Sequence, residues 1–449
     1  SLGRPPPDRR PPVGGPQAAP LSRKRRPAAP ASPPRRSAPS PQPTRIREGP
    51  DDGMNPRILI LCLATFAAGT QTYVFVGVLS DLAADLGVSV AAAGQLASTF
   101  ALVFALSAPL TASFFAATDR RALLVSALIL VALLNALAAG AADFEALLML
   151  RVLLAVAATL VAPVALSAAA ALAPAERRGA ALATVLAGLT LAFTFGIPIG
   201  SAVGGALGWR ATFALAAGLA ALAAGGILAV LPRVPSAEDA GLANLRAMLA
   251  PNVAPLLALT AGAFLALFTV NAYIGPVVTR ITGYEGAAVG ALQAFVGVGS
   301  IFGIVLGGRA ADRAATRPTV LACLAATFTS LLLYTVWMTA GAGLPDVART
   351  AGLAGTILLG AASLFALGPI LQARLVDEAS DNRNVALAVN GSMVFLGQGL
   401  GAAAGGLTLD LAGIEALGAT GAAFALLTAT LIFAVPRRGP APAPEKLAA

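Results

Sequence analysis

Side chains able to do chemistry are scarce in this chain of 449 residues. It has no histidine, and its two cysteines, Cys62 and Cys323, sit inside apolar runs. That excludes a His/Cys metal cluster, a disulfide framework and any histidine-dependent triad. No metal site and no cofactor is expected, and no nucleophile–base constellation suggests an enzyme. One charge, Arg151 in LMLRVLLAV, lies deep in an apolar stretch. An arginine at bilayer depth costs about 2.5–3.5 kcal/mol on insertion scales, so it should face a helix-bundle interior or a water-filled cavity. It could draw in a ligand or govern a nearby protonation, or it could be a structural tie to backbone carbonyls. The carboxylates nearest the apolar stretches, Asp81, Asp85, Asp143, Glu145 and Asp410, all fall at their edges. The uncharged polar residues inside them include Gln71, Thr72, Tyr73, Asn135, Asn271, Tyr273, Gln293 and Asn390. Each could contact a ligand, or make an interhelical hydrogen bond worth about 0.6 kcal/mol.

The elements that must position these residues follow from composition. Hydrophobic residues are 57% of the chain and charged ones 11%, against roughly 25% charged in a soluble domain. Such a chain belongs in a bilayer. The hydropathy predicts spans at 57–79, 91–115, 122–141, 146–173, 179–206 and 211–231, then at 253–278, 286–308, 318–340, 347–373, 384–408 and 413–435. The expected fold is all-α, twelve transmembrane helices in two halves, 54–231 and 253–436. The linker 232–252 joins them and carries a short amphipathic stretch, with Leu242, Leu245, Met248 and Leu249 on one face.

Charge gives orientation. Residues 1–53 hold eleven Lys/Arg against four acids in a proline-rich segment poor in apolar residues, which reads as a disordered tail or as sequence upstream of a start at Met54. The tail 437–449 is read as disordered too. In the body, fifteen basic residues fall on the side of the termini and linker, and three (Arg210, Arg280 and Arg349) on the other. Both termini should therefore be cytoplasmic.

The halves repeat each other. FGIPIGSAVGGALG and LGQGLGAAAGGLTL superpose Gly196 on Gly397, Gly200 on Gly401, Gly204 on Gly405 and Gly205 on Gly406. Arg121 likewise falls on Arg317, and Arg178 on Arg383. Parallel duplication of a six-helix unit is a transporter architecture with its site between the halves. The spaced glycines let helices approach closely, and Pro198 among them permits a bend. These faces are expected to slide against the opposite half; the alternative is plain tight packing.

These motifs together resemble the major facilitator superfamily, specifically its twelve-span drug and sugar efflux group near the arabinose- and nucleoside-efflux branch, from about Arg57 to Pro436. GRAADRAATR, with Asp312, Arg313 and Arg317, is similar to the family's cytoplasmic loop signature, and Arg151 stands where the family has its arginine in span four. The stretch around Pro198 resembles the exporter signature, and GWRATF and NAYIGPVVTRITGYE resemble the branch. The chain departs from the pattern at Ala116, where the loop aspartate would be, and at Thr72, where the branch often has an acid. The resemblance implies that spans one and seven line a central cavity, which makes Gln71, Thr72, Tyr73, Asn271 and Tyr273 the preferred substrate contacts. It implies an inner-membrane exporter of small neutral or amphiphilic molecules, proton-coupled and monomeric, with lipid and no nucleic acid as partner. An uncoupled facilitator or importer, and a transport-inactive receptor or scaffold, remain as alternatives.

Overall fold

Among the described residues, twelve helices long and apolar enough to cross a bilayer follow one another in the computed structural model. The first six are Pro56–Asp85, Val90–Thr111, Arg120–Ala139, Phe144–Leu172, Ala175–Leu207 and Trp209–Val230. The second six are Ala254–Asn271, Ala287–Ala311, Arg317–Thr339, Asp346–Glu378, Val385–Ala412 and Ile414–Ala434. They are numbered here as spans one to twelve. The structure describes residues 55–115, 118–235, 248–311, 316–379 and 382–435. The expected tails, most of the linker, and the loop residues Asp312 and Arg313 lie outside these. Of the expected amphipathic face, Met248 is buried and Leu249 exposed, so those two do not share it.

The duplication is visible in the packing. A side chain at Gly196, Gly200 or Gly204 would strike Thr70, Val74 and Val78 of span one respectively. At Gly397, Gly401 and Gly405 it would strike the carbonyl oxygens of Ala261, Leu265 and Thr269 in span seven. Both rows advance by four residues on both partners, so spans one and five pair as spans seven and eleven do. Gly208 and Gly413 end spans five and eleven with φ of 85° and 84°, which favours glycine over residues with a Cβ. Arg121 and Arg317 donate to Leu228 and Val435, capping spans six and twelve.

One expectation is corrected here. Gly196, Gly200 and Gly204, and Gly397, Gly401 and Gly405, do not face the opposite half, whereas Gly205 and Gly406 do, against Gly286 and against Ala91 and Gln95. The two spaced rows bind span five to span one, and span eleven to span seven, each within its own half.

Among the described residues four spans are interrupted where continuous helix was expected; in span four the interruption is the turn at Thr159–Leu160 between Phe144–Ala158 and Val161–Leu172. Span one is helical to Tyr73, turns, and resumes through a short 3₁₀ segment at Val76–Val78 before Leu79–Asp85. The run TYVFVGV, with β-branched and aromatic residues and Gly77, is poor helix sequence. Span seven stops at Asn271 and restarts as Ile274–Thr282, with Gly275 and Pro276 in its first turn. Span five contains a π-helical turn, Ala192–Gly196, directly before the helix that Pro198 opens, so the expected bend is realised as a wider turn. Span ten runs past 373 to Glu378, where buried Arg374 pairs with Glu378 at 2.8 Å, one helical turn on.

Candidate functional site

Arg151 is fully buried, and it reaches the break in span one. Its Nη1 donates to the Gln71 carbonyl at 3.2 Å and its Nη2 to the Thr72 carbonyl at 2.7 Å. Its Nε donates to the Leu96 carbonyl of span two at 3.3 Å. The guanidinium also lies 4.3 Å from the Phe100 ring centroid and 5.0 Å from that of Phe75. The last carbonyls of a helix lack intrahelical donors and carry the negative end of its dipole. A planar guanidinium there satisfies two of them at once and neutralises the dipole end, while the rings shield its faces. The partners of Arg151 are carbonyls and rings, and its place is that of a clamp on the carbonyls immediately before Tyr73.

Tyr73, at the end of that clamped segment, borders a cavity between the halves. Phe193 and Ile197 of span five, Phe268 and Asn271 of span seven, and Gln293 of span eight line it with Tyr73. Val76, Ile274 and Val296 complete a lining without any charged residue. In this conformation there is room for only a few water molecules.

Of the five preferred contacts, the structure brings two, Tyr73 and Asn271, to this cavity. Gln71 is fully buried with both amide atoms unpartnered, away from the lining. The Thr72 hydroxyl returns to the Ala68 carbonyl at 2.9 Å. Tyr273 is buried beside the span-seven break, donating to the Ala402 carbonyl at 2.9 Å, in a slot made by Gly94, Gly405 and Gly406. Being at a cavity-lining break is not enough; the break turns Tyr273 toward span eleven. Gln293, one polar residue among many in the sequence, is in the lining. Its signal was a lone amide on a span otherwise made of small and apolar residues.

The halves meet through neutral contacts. Tyr73 donates to Gln398 Oε1 at 2.8 Å, Ser98 to the Gly399 carbonyl at 3.0 Å, and Ser201 to Gln293 Oε1 at 2.5 Å. Gly205 lies against Gly286, Gly290 against the Pro198 carbonyl, and Gly275 against the Val76 carbonyl. All of these lie between mid-span and the end opposite the linker. Among the described residues no ion pair joins the halves: Arg210–Asp85, Arg280–Glu415, Arg349–Asp346 and Arg374–Glu378 each stay within one. The bundle is thus closed at the end away from the linker by contacts that cost little charge separation to break.

Known proteins share this organisation. The family model described as Major Facilitator Superfamily matches residues 61–274 and again 256–449. A chloramphenicol resistance protein of Streptomyces lividans is 35% identical over 356 residues, covering 78% of this chain and 87% of that one. The inner membrane transport protein YdhP of Escherichia coli K12 is 31% identical over 390 residues, covering 86% and 97%. Among solved structures, a bacterial homolog of the human lysosomal transporter Spinster, inward-facing and occupied, matches with TM-score 0.71 at 17% identity, covering 87% of this chain and all of that one. A D-xylose–proton symporter matches with TM-score 0.68, also at 17% identity, covering 85% and 98%. The chain is a multi-pass membrane protein and belongs to the major facilitator superfamily.

Proposed function

We propose that this chain exports small, neutral or amphiphilic molecules across the inner membrane by alternating access. The observation that carries this reading is the uncharged, aromatic-walled cavity between two duplicated halves whose hydrogen bonds and glycine contacts to each other lie from mid-span to one end among the described residues. A cavity holding a few waters must widen to admit a ligand, and the halves can part because only neutral contacts join them. The moving units are 54–231 and 253–436, with 232–252 connecting them, and the monomer suffices. With fifteen basic residues on the linker side, that side is cytoplasmic. Tags at Met54, in the linker and at the C-terminus should all report there; one found outside removes this topology.

The resistance protein of Streptomyces lividans makes chloramphenicol the first compound to try. Expression in a host without its own exporters should raise the inhibitory concentration of at least one neutral compound in a panel that includes it. A protonophore should abolish the effect if export is proton-driven. No protection across the panel would sink the exporter reading.

One observation favours a second reading, an uncoupled facilitator: no carboxylate lies in the cavity lining. Flux from loaded vesicles with and without an imposed pH gradient separates the two. Flux that ignores the gradient leaves the facilitator.

A further inference from the structure

We propose that Gln293 is the polar contact by which the cavity selects its ligand, presenting an amide N–H to a hydrogen-bond acceptor on an otherwise apolar, uncharged molecule. This rests on the transporter reading and adds a ligand class to it.

Gln293 is 2% exposed and lies in the cavity lining. Its Oε1 accepts the Ser201 hydroxyl at 2.5 Å, while its Nε2 is buried with no partner. A buried donor left unsatisfied is unfavourable, and native structures rarely keep one without a reason. The reason here is the cavity beside it. The Ser201 hydroxyl, which also lies 3.2 Å from the Ile197 carbonyl, meets the oxygen end of the amide, and the nitrogen end is left without a protein partner. Ser201 packs closely on span one, where a side chain at Gly77 would strike its Oγ.

The rest of the lining states what else the ligand must be. Phe193, Phe268 and the Tyr73 ring form aromatic walls, with Tyr73 and Phe268 centroids 5.3 Å apart. No charged residue is available to neutralise an ion, so a charged ligand would be desolvated without a counter-charge. Asn271, half-buried in span seven, offers a second amide with both donor and acceptor. An aryl compound with a carbonyl or nitro oxygen meets all these conditions. Because Ser201 belongs to one half and Gln293 to the other, the ligand's acceptor would also be read at the seam that must open.

Benzanilide and N-benzylaniline test this. Both are neutral at pH 7 and carry an N–H between two rings; only benzanilide has the carbonyl. Binding is measured calorimetrically on the full chain in detergent micelles. The wild type should prefer benzanilide by about 3- to 10-fold, the range of one neutral hydrogen bond. Gln293→Met keeps the shape, removes the donor and should bring the ratio to about one. Ser201→Ala, a milder change, frees the amide to turn and should at least halve the preference. Equal wild-type binding, or a preference that survives both substitutions, overturns the assignment. If neither probe binds while the growth panel still shows export, the ligand class is wrong and the exporter stands. If neither binds and nothing is exported, both readings fall.

Discussion

Two kinds of seam run through this bundle, and glycine builds both differently. Within each half, three glycines spaced by four lie against backbone or β-branched side chains of one neighbouring helix. Between the halves the spacing is less regular: Gly286, Gly290 and Gly297 of span eight lie against Gly205, Pro198 and Thr194 of span five, Gly399 lies against Leu102, and Gly275 against the Val76 carbonyl. A continuous row gives many simultaneous close contacts and holds two helices as a unit. The less regular contacts, with three neutral hydrogen bonds among them, give a seam that can come apart without separating charges. In the proposed cycle, the regular rows would hold each half together and the less regular seam would be the face that moves.

The largest test is to damage a row. At Gly200 a Cβ would lie 2.4 Å from a Val74 methyl and 2.7 Å from its carbonyl oxygen; at Gly401 it would lie 2.5 Å from the Leu265 carbonyl oxygen. Backbone cannot give way as a flexible side chain can. Overpacking of this kind costs about 1–3 kcal/mol or more, and a leucine adds three further carbons. Gly200→Leu and Gly401→Leu should each lower thermal stability in detergent by several degrees or abolish recovery of monodisperse protein. Normal stability in both would show that the rows have slack and would erase the distinction.

Next in size is Arg151, which marks a difference between the halves. If the helices capped at Asp143 and Pro345 are taken as equivalent, the place of Arg151 is filled by Leu353, fully buried. The break in span one is thus clamped by a cation and the break in span seven by packing and Tyr273. Arg151→Lys keeps the charge but cannot span three carbonyls with one ammonium. Hydrogen bonds to a charged group are worth about 1.5–3 kcal/mol each, so transport should fall at least about tenfold. Transport at wild-type rate in the lysine variant would reduce Arg151 to a plain buried charge.

A substitution on the moving face should do less to the fold and more to the cycle. Gly205→Leu places side-chain atoms where a Cβ alone would come 2.2 Å from Gly286 Cα, and the halves can part to relieve it. The protein should stay folded and spend more time open at the end away from the linker. The readout is a cysteine at Val76, in a background with Cys62 and Cys323 replaced by serine. Labelling by a membrane-impermeant thiol reagent from the side opposite the linker should rise. If stability collapses as it does for Gly200→Leu, the two seams are not different in kind.

Much of this architecture was legible in the residues, and the parts that were not share a cause. Twelve spans and two halves follow from apolarity and arginine placement, which act residue by residue. The glycine rows announced that something comes close; they carry no mark of what. Their partner, span one or span seven, is set by three-dimensional packing. The breaks were illegible because TYVFVGV and NAYIGPVV are locally weak helix sequence without being clear stops, and Arg151, 79 or more residues away, supplies the missing donors at one of them. Hence Tyr73 and Asn271 were found at the cavity while Tyr273, two residues on, turned into a glycine slot, and Gln293 was passed over among other amides.

The smallest effect expected, and the most specific, is that of Tyr73→Phe. The Tyr73 hydroxyl reaches from the break in span one across to Gln398 in span eleven, while its ring remains a cavity wall. The phenylalanine keeps that wall and the contact with Phe268, removing one neutral hydrogen bond from the seam. Both partners are buried when the halves meet, and both regain water if they part. The bond should therefore favour the closed arrangement by about 0.5–1.5 kcal/mol, and its loss should shift the balance toward opening by about 2- to 10-fold. The same Val76 cysteine reads this as a proportionate rise in labelling, with thermal stability little changed. Gln398→Leu removes the other partner but strands the tyrosine hydroxyl on closure, so it should open the seam at least as far. Because the two changes act on one bond, the double variant should open it no more than the larger single change. Additive effects would mean that each residue acts through other neighbours, and the seam would then have one fewer hydrogen bond than the geometry assigns to it.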